Sequence, residues 1–315
     1  MRTTIVVAFF LMLIVPAHAA VINAVANGDW DDPTTWDSNP SIPGAGDEVH
    51  INGFTVDVDA NADCFSLDIY NGSSLRFMAN VGLDLNGGNI TVYSGGSIDR
   101  NSTTAHHDFD NSATDSVIVQ STGTITIEDI QINAAVNLVL FGAGSITLSD
   151  DLLFQTSKAT VTNNMSGSLN LTGANSSSVW FTNLSDTCTF INLQTMTVSR
   201  YLYIESAGNT VTNSGSIDFN NSSFGIFITN GDGDGTTMSN SGTIHVAGDV
   251  SLGNADMDFN NTGTLDVDGD FGTISSNTNL YNFAGATLRW AGTAYGGMRL
   301  FTHYSGSSVI YDRSS

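Results

Sequence analysis

The sequence predicts an all-β protein, a right-handed parallel β-helix (β-solenoid) with about 21–27 residues per coil. Three observations predict it. A glycine followed by one or two small residues and then by apolar–any–apolar recurs in step along the chain. The intervals alternate apolar and polar residues, the period of a strand, and none carries the 3.6-residue stripe of a helix. Proline is absent after Pro43, as expected where strands donate ladder hydrogen bonds on both sides.

In chain order the first element, residues 1–19, is a leader. It carries one arginine, Arg2, an unbroken apolar run from Ile5 to Val15, then Pro16 and Ala17-His18-Ala19. That is the pattern of a secretory signal peptide, too short and wrongly flanked to span a bilayer. The mature chain is expected to begin at Ala20 and to be exported, secreted or held at the cell surface. No later stretch is apolar enough for a membrane span. The 31 acidic residues outnumber the 8 basic ones, for a formal net charge of −23. Such a surface repels nucleic acid, anionic lipid and polyanionic sugars, and suits neutral partners and divalent cations. Acidic, low-complexity chains are often disordered, but here 41% of the residues are apolar and recur on a schedule, so the chain is expected to fold.

The second element, residues 20–70, is a capping block with the first coils. It holds three of the four prolines together with Trp30 and Trp36. Two indoles can cover the open end of a solenoid core, and prolines keep that end from accepting another strand. The runs "EVHI", "FTVDV" and "FSLDI" then begin the coil. The pattern falls on Trp30, Asp32-Pro33, Thr35-Trp36, Pro43-Gly44, Gly46-Asp47, Val49, Ile51, Gly53, Val56 and Val58. It resembles the opening module of large secreted bacterial surface proteins and, more distantly, the eight-glycine extracellular domain of animal proteins linked to hyaluronan turnover. The resemblance covers about 50 residues and implies a β-helical scaffold rather than a defined active site. It also implies a C-terminal sorting domain, which this sequence does not carry. Alternation runs through "GSSVIYDRSS" to the last residue without a polar cap, so a fragment of a longer protein, or a partner covering that end, is expected.

The third element, residues 71–315, is the repeat array. Its beats start at Gly72, Gly96, Gly123, Gly144, Gly167, Gly215, Gly242, Gly263 and Gly285, at spacings of 24, 27, 21, 23, 48, 27, 21 and 22. The 48 is two periods, with "FINL" (Phe190–Leu193) expected as the missing beat. A unit of this length is too short for a propeller blade and too long for a nonapeptide calcium roll. It fits one coil of a three-sided solenoid whose rungs stack about 4.8 Å apart. Glycine is expected where the backbone turns or is crowded. Asn213, Asn240 and Asn261, each two residues before a glycine, are expected to stack as an amide ladder. The middle residues of the beats, Arg76, Thr126, Thr147, Asn170, Asn192, Asp218, His245, Asp266 and Arg289, are expected to line one outward face. Cys64 and Cys188 would lie about five rungs apart, roughly 24 Å, so no intramolecular disulfide is expected.

Four constellations carry candidate chemistry. Asn230, Asp232 and Asp234 in "NGDGDGTT" match the front half of a Ca2+ loop, although Ser241 stands where its bidentate glutamate would be. Asp218 and Asp266, two rungs apart with His245 between, would put carboxylates about 9–10 Å apart, near the separation used by inverting glycosidases. The competing reading is a solvated charge ladder, and the motifs of solenoid polygalacturonases are absent. His106 and His107 in "AHHDFD" point to opposite sides of an extended chain, which fits a polar loop better than a metal site. Tyr201 and Tyr203 alternate with Leu202 and Ile204 and should point outward, where phenols could meet sugar rings. The expected function is therefore an extracellular structural or adhesin-like scaffold with no required cofactor. A neutral-polysaccharide hydrolase and a Ca2+-stabilised glycan-binding module are the alternatives, and a glycan or another surface protein is the expected partner.

Overall fold

In the computed structural model the chain winds through three parallel sheets. Residues 20–311 are described, apart from 39, 79–80, 102–106, 112–115, 174–178, 183–186, 224, 229–234, 253–256, 273–277 and 296–299. Residues 1–19 and 230–234 thus lie outside the described residues. One coil shows the path: Asn89–Val92 lies in the first sheet, Ser97–Arg100 in the second and His107–Asn111 in the third, before Ser116–Val119 returns to the first. Each sheet takes every third strand, giving two sheets of 13 strands and one of 11. This is the parallel β-solenoid that the period predicts.

Alternation sets the interior. Most strands bury two apolar residues around an outward one, and stacking them gives continuous columns such as Ile217, Ile244, Leu265 and Leu288. Phenylalanines are among the largest fully buried side chains, and Phe154 and Phe181 stack with centroids 4.3 Å apart. A packing gap bounded by core residues including Val179, Phe190 and Met196 is too small for a water molecule.

The glycines answer mainly to crowding. A Cβ on Gly242 would fall on the Gly215 carbonyl oxygen, and one on Gly263 on the Gly242 carbonyl oxygen, because successive corners stack backbone on backbone. At Gly72 and Gly285 the reason is a left-handed φ, +75° and +85°.

The amide ladder is present and longer than expected. Asn163, Asn192, Asn213, Asn240, Asn261 and Asn282 are all buried, and each Nδ2 donates to the next Oδ1 at 2.6–2.9 Å. From Asn192 onward a second N–H of each side chain reaches a backbone carbonyl, as in Asn240 to Thr264 at 2.8 Å. This corrects one expectation. Asn192 is not in the outward column: "FINL" lies in the first sheet with Phe190 and Asn192 inward. The second-sheet strand of that coil is Thr195–Val198, headed by Gln194 rather than glycine, and Thr197 takes the outward place between Asn170 and Asp218. Burial of Asn192 is tolerated because amides above and below satisfy it.

Two tryptophans pack at the N-terminal end of the described coils. Trp30 and Trp36 are buried and meet edge to face at 5.2 Å, and Trp36 Nε1 donates to the Trp30 carbonyl at 2.8 Å. Asp32 accepts from Thr34 N at 2.8 Å and starts the 3-10 turn Pro33–Thr35. The chain after that turn pairs back on the first sheet's edge: Val25 N donates to Thr35 O at 2.8 Å and Asp37 N to Asn23 O at 3.0 Å. An antiparallel flap therefore occupies donors and acceptors that a further strand would need. At the other end, Val309 is in register with buried Leu288 and Phe301 with buried Leu280, yet both are exposed.

The two cysteines are buried and not joined by a disulfide. Cys188 Sγ donates to the Thr156 carbonyl at 2.9 Å. Burial pushes the Cys64 thiol far above its ordinary pKa, so it stays protonated.

Candidate functional site

Two outward columns collect the candidate residues. On the second sheet, register aligns Thr197, Asp218, His245, Asp266 and Arg289 on successive coils. His245 Nδ1 lies 2.7 Å from Asp218 Oδ1, and Nε2 lies 3.1 Å from Asp268 Oδ2. The hydrogen bond His245 makes to the Asp218 carboxylate is the main reason that the imidazole pKa is raised, with Asp268 adding to it against some desolvation. Asp266 is not its partner: Arg289 Nη1 donates to Asp266 Oδ2 at 3.3 Å. At the N-terminal end of this face Arg76 grips Asp57 through two bonds of 2.7 and 2.8 Å.

Both imidazole nitrogens of His245 are therefore engaged, and Asp218 is held by His245 and Asp266 by the Arg289 guanidinium. A glycosidase pair needs one carboxyl free to protonate a leaving group and another free to activate water or attack carbon. This face has instead the alternating signs of a cross-strand charge ladder, each pair worth a few tenths of a kcal/mol to about 1 kcal/mol.

The third sheet is different. Its outward positions carry Asp63 and Asp84 and, two coils further on, Gln131, Leu153, Trp180, Tyr203, Phe227 and Ser251 in register. Carboxylates thus give way to large apolar and aromatic side chains along one line. Trp180, Tyr203 and Phe227 occupy consecutive coils, and Tyr201 joins them from the preceding corner. Centroids are 6.0 Å apart for Trp180–Tyr203, 6.2 Å for Tyr201–Tyr203 and 6.0 Å for Tyr201–Phe227. In these three pairs the rings are inclined by 44°, 42° and 70°. Tyr70 and Tyr93 contrast with them: centroids 4.6 Å apart and planes within 6°, they cover one another's faces. Polar groups frame the aromatic cluster. Trp180 Nε1 donates to Glu205 Oε2 at 2.9 Å, and the Arg200 guanidinium lies over the Tyr201 ring at 5.5 Å.

Tyr201 and Tyr203 thus stand outward as their alternation predicts, within a patch whose other members the sequence reading missed. The signal was the apolar–aromatic–apolar triplets "VWF" (Val179–Phe181) and "IFI" (Ile226–Ile228), which match "LYI" (Leu202–Ile204). Asn230, Asp232 and Asp234 lie outside the described residues, as does His106. His107 opens the strand His107–Asn111 rather than sitting in a loop. No protein-family model, curated protein or solved structure matches this chain.

Proposed function

We propose that this protein is an exported, adhesin-like β-solenoid scaffold that holds a neutral glycan against the aromatic patch of its third face. The observation that carries this reading is the change of that column from carboxylate to aromatic over consecutive coils, centred on Trp180, Tyr203 and Phe227. Aromatic faces suit the apolar C–H faces of pyranose rings, while Glu205 and Arg200 beside them offer an acceptor and donors to ring hydroxyls. Inclined rings favour a chain that twists from sugar to sugar over a flat crystalline surface. The acidic surface selects against polyanionic sugars, and the signal-peptide pattern of residues 1–19 supports export.

The test is a titration of the full mature protein with soluble neutral polysaccharides, read by tryptophan fluorescence and calorimetry. Phe227→Ala and Tyr203→Ala are expected to weaken binding at least tenfold while far-ultraviolet circular dichroism stays unchanged. Binding that persists in both variants would remove the patch from the function. N-terminal sequencing of the exported chain should begin at Ala20.

A further inference from the structure

We propose that the corner formed by Asp129, Asp150 and Asp151 is a binding site for one divalent cation, with Ca2+ the best match to its all-oxygen donor set. These residues sit on two successive coils where the second sheet turns into the third. One carboxylate oxygen from each lies within 4.8 Å of the other two. Stacking holds them there: Ile130 N donates to Asp151 O, and Asp150 N to Glu128 O, both at 3.0 Å.

The acidic cluster alone would not indicate a ligand, and the exposed trio Asp29, Asp31 and Asp59 carries no such inference. Burial and an unmet acceptor separate this corner from that one. Asp129 and Asp151 are 6% and 4% exposed, and Asp151 Oδ1 is buried without a hydrogen-bond partner. The equivalent corner on later coils shows what is missing. Asp249 Oδ1 accepts from Asp270 N at 2.8 Å, and Asp270 Oδ1 from Thr293 N at 2.6 Å, each aspartate pinning the next corner. Asp129 does the same for Asp151 N at 2.7 Å, but the Asp151 carboxylate turns in among the other two. A desolvated carboxyl with an unmet oxygen, held against two more carboxyls, offers a cation a ready set of oxygen donors.

The surrounding charges agree. Glu128 adds a fourth negative charge, and Arg200 is the positive group that acts on Asp151. Burial first, then the Asp150 and Asp129 charges, push the Asp151 carboxyl up to about 9. Half-buried Asp150 leaves the corner an opening to solvent.

The experiment is calorimetric titration of the full mature protein with CaCl2 after chelator treatment, paired with thermal unfolding. A Asp232→Asn/Asp234→Asn double variant serves as the background, which removes the 230–234 loop as a competing site. Expected are one bound Ca2+ per chain and a rise in Tm of about 3–8 °C at roughly a hundredfold excess over Kd. Adding Asp151→Asn should abolish both while leaving Tm in chelator equal to or above that of its parent, because the isostere removes the repulsion. Failure of Ca2+ to bind or to move Tm in the background protein overturns the proposal. So does binding that survives Asp151→Asn. A Tm that rises on acidification and ignores Ca2+ would assign the corner to a shared proton and likewise overturn it.

Discussion

Replacing Asn240 tests the physical idea on which the stack depends. Asn240 is 1% exposed and sits near the middle of the amide ladder. Its Oδ1 accepts from Asn213 at 2.8 Å, and its Nδ2 donates to Asn261 Oδ1 at 2.9 Å and to the Thr264 carbonyl at 2.8 Å. Asn240→Ala leaves Asn261 Oδ1 without its donor and strands one N–H of Asn213 in the interior. Each buried orphan costs about 1–3 kcal/mol, so the change should cost roughly 3–5 kcal/mol with the small cavity included. Asn240→Asp is more diagnostic. A carboxylate can still accept from Asn213, but its other oxygen then faces two acceptors, Asn261 Oδ1 and Thr264 O, in a dry site. At pH 7 it should be worse than alanine. A protonated carboxyl donates again, so the penalty should shrink as the pH falls to about 4. The assay is urea unfolding of wild type, Asn240→Ala and Asn240→Asp at both pH values. Amide exchange over 210–264 localises the effect, because a repeat array need not unfold in one step. An Asn240→Ala penalty below about 1 kcal/mol, or an aspartate variant that follows alanine at every pH, would refute the ladder as a source of stability.

Other consequences follow from single positions. Gly242→Ala drives a methyl into the Gly215 carbonyl and should cost at least roughly 1–3 kcal/mol by denaturant melt, whereas Gly46→Ala, with nothing within 4 Å of the added carbon, should be nearly neutral. The raised pKa of His245 means that its contribution is fully present below the unfolded value near 6.5 and is lost as pH rises through the folded value. Stability should therefore decline slightly from pH 6 upward, by under about 1 kcal/mol given the solvent screening of this half-exposed group, and His245→Gln should flatten that part of the profile. Asp218→Asn and Asp266→Asn should leave glycan binding unchanged, and equal loss of binding in both would move the site to the second face. Iodoacetamide should label neither Cys64 nor Cys188 in the native protein and both after unfolding, with an unchanged mass under non-reducing conditions.

What could be read from the sequence, and what could not, follows from how local each constraint is. The second-sheet strands announce themselves because stacked corners leave no room for a side chain, so glycine marks nearly every coil. Alternation then fixes which residues face in. Where Gln194 replaces glycine the marker is lost, and the nearest apolar–polar text, "FINL", draws the register one strand too early. Alternation also cannot tell that Asn192 belongs inside. Only its recurrence with Asn163 and Asn213 on neighbouring coils makes a buried amide affordable, a condition spread over more than 20 residues on each side. The third sheet was the hardest to read, since most of its strands are short and its earlier coils lack the regular glycine that heads the second sheet, and both its aromatic patch and the Asp129–Asp150–Asp151 corner went unseen. Neither is a motif in the linear text. Trp180, Tyr203 and Phe227 stand 23 and 24 residues apart, as do equivalent points of any two adjacent coils, and only the pitch makes them neighbours. In this architecture a site is therefore a column. A substitution that shifted the register of one coil would break up the patch without touching any residue in it, so scaffold and function stand or fall on the same stacking.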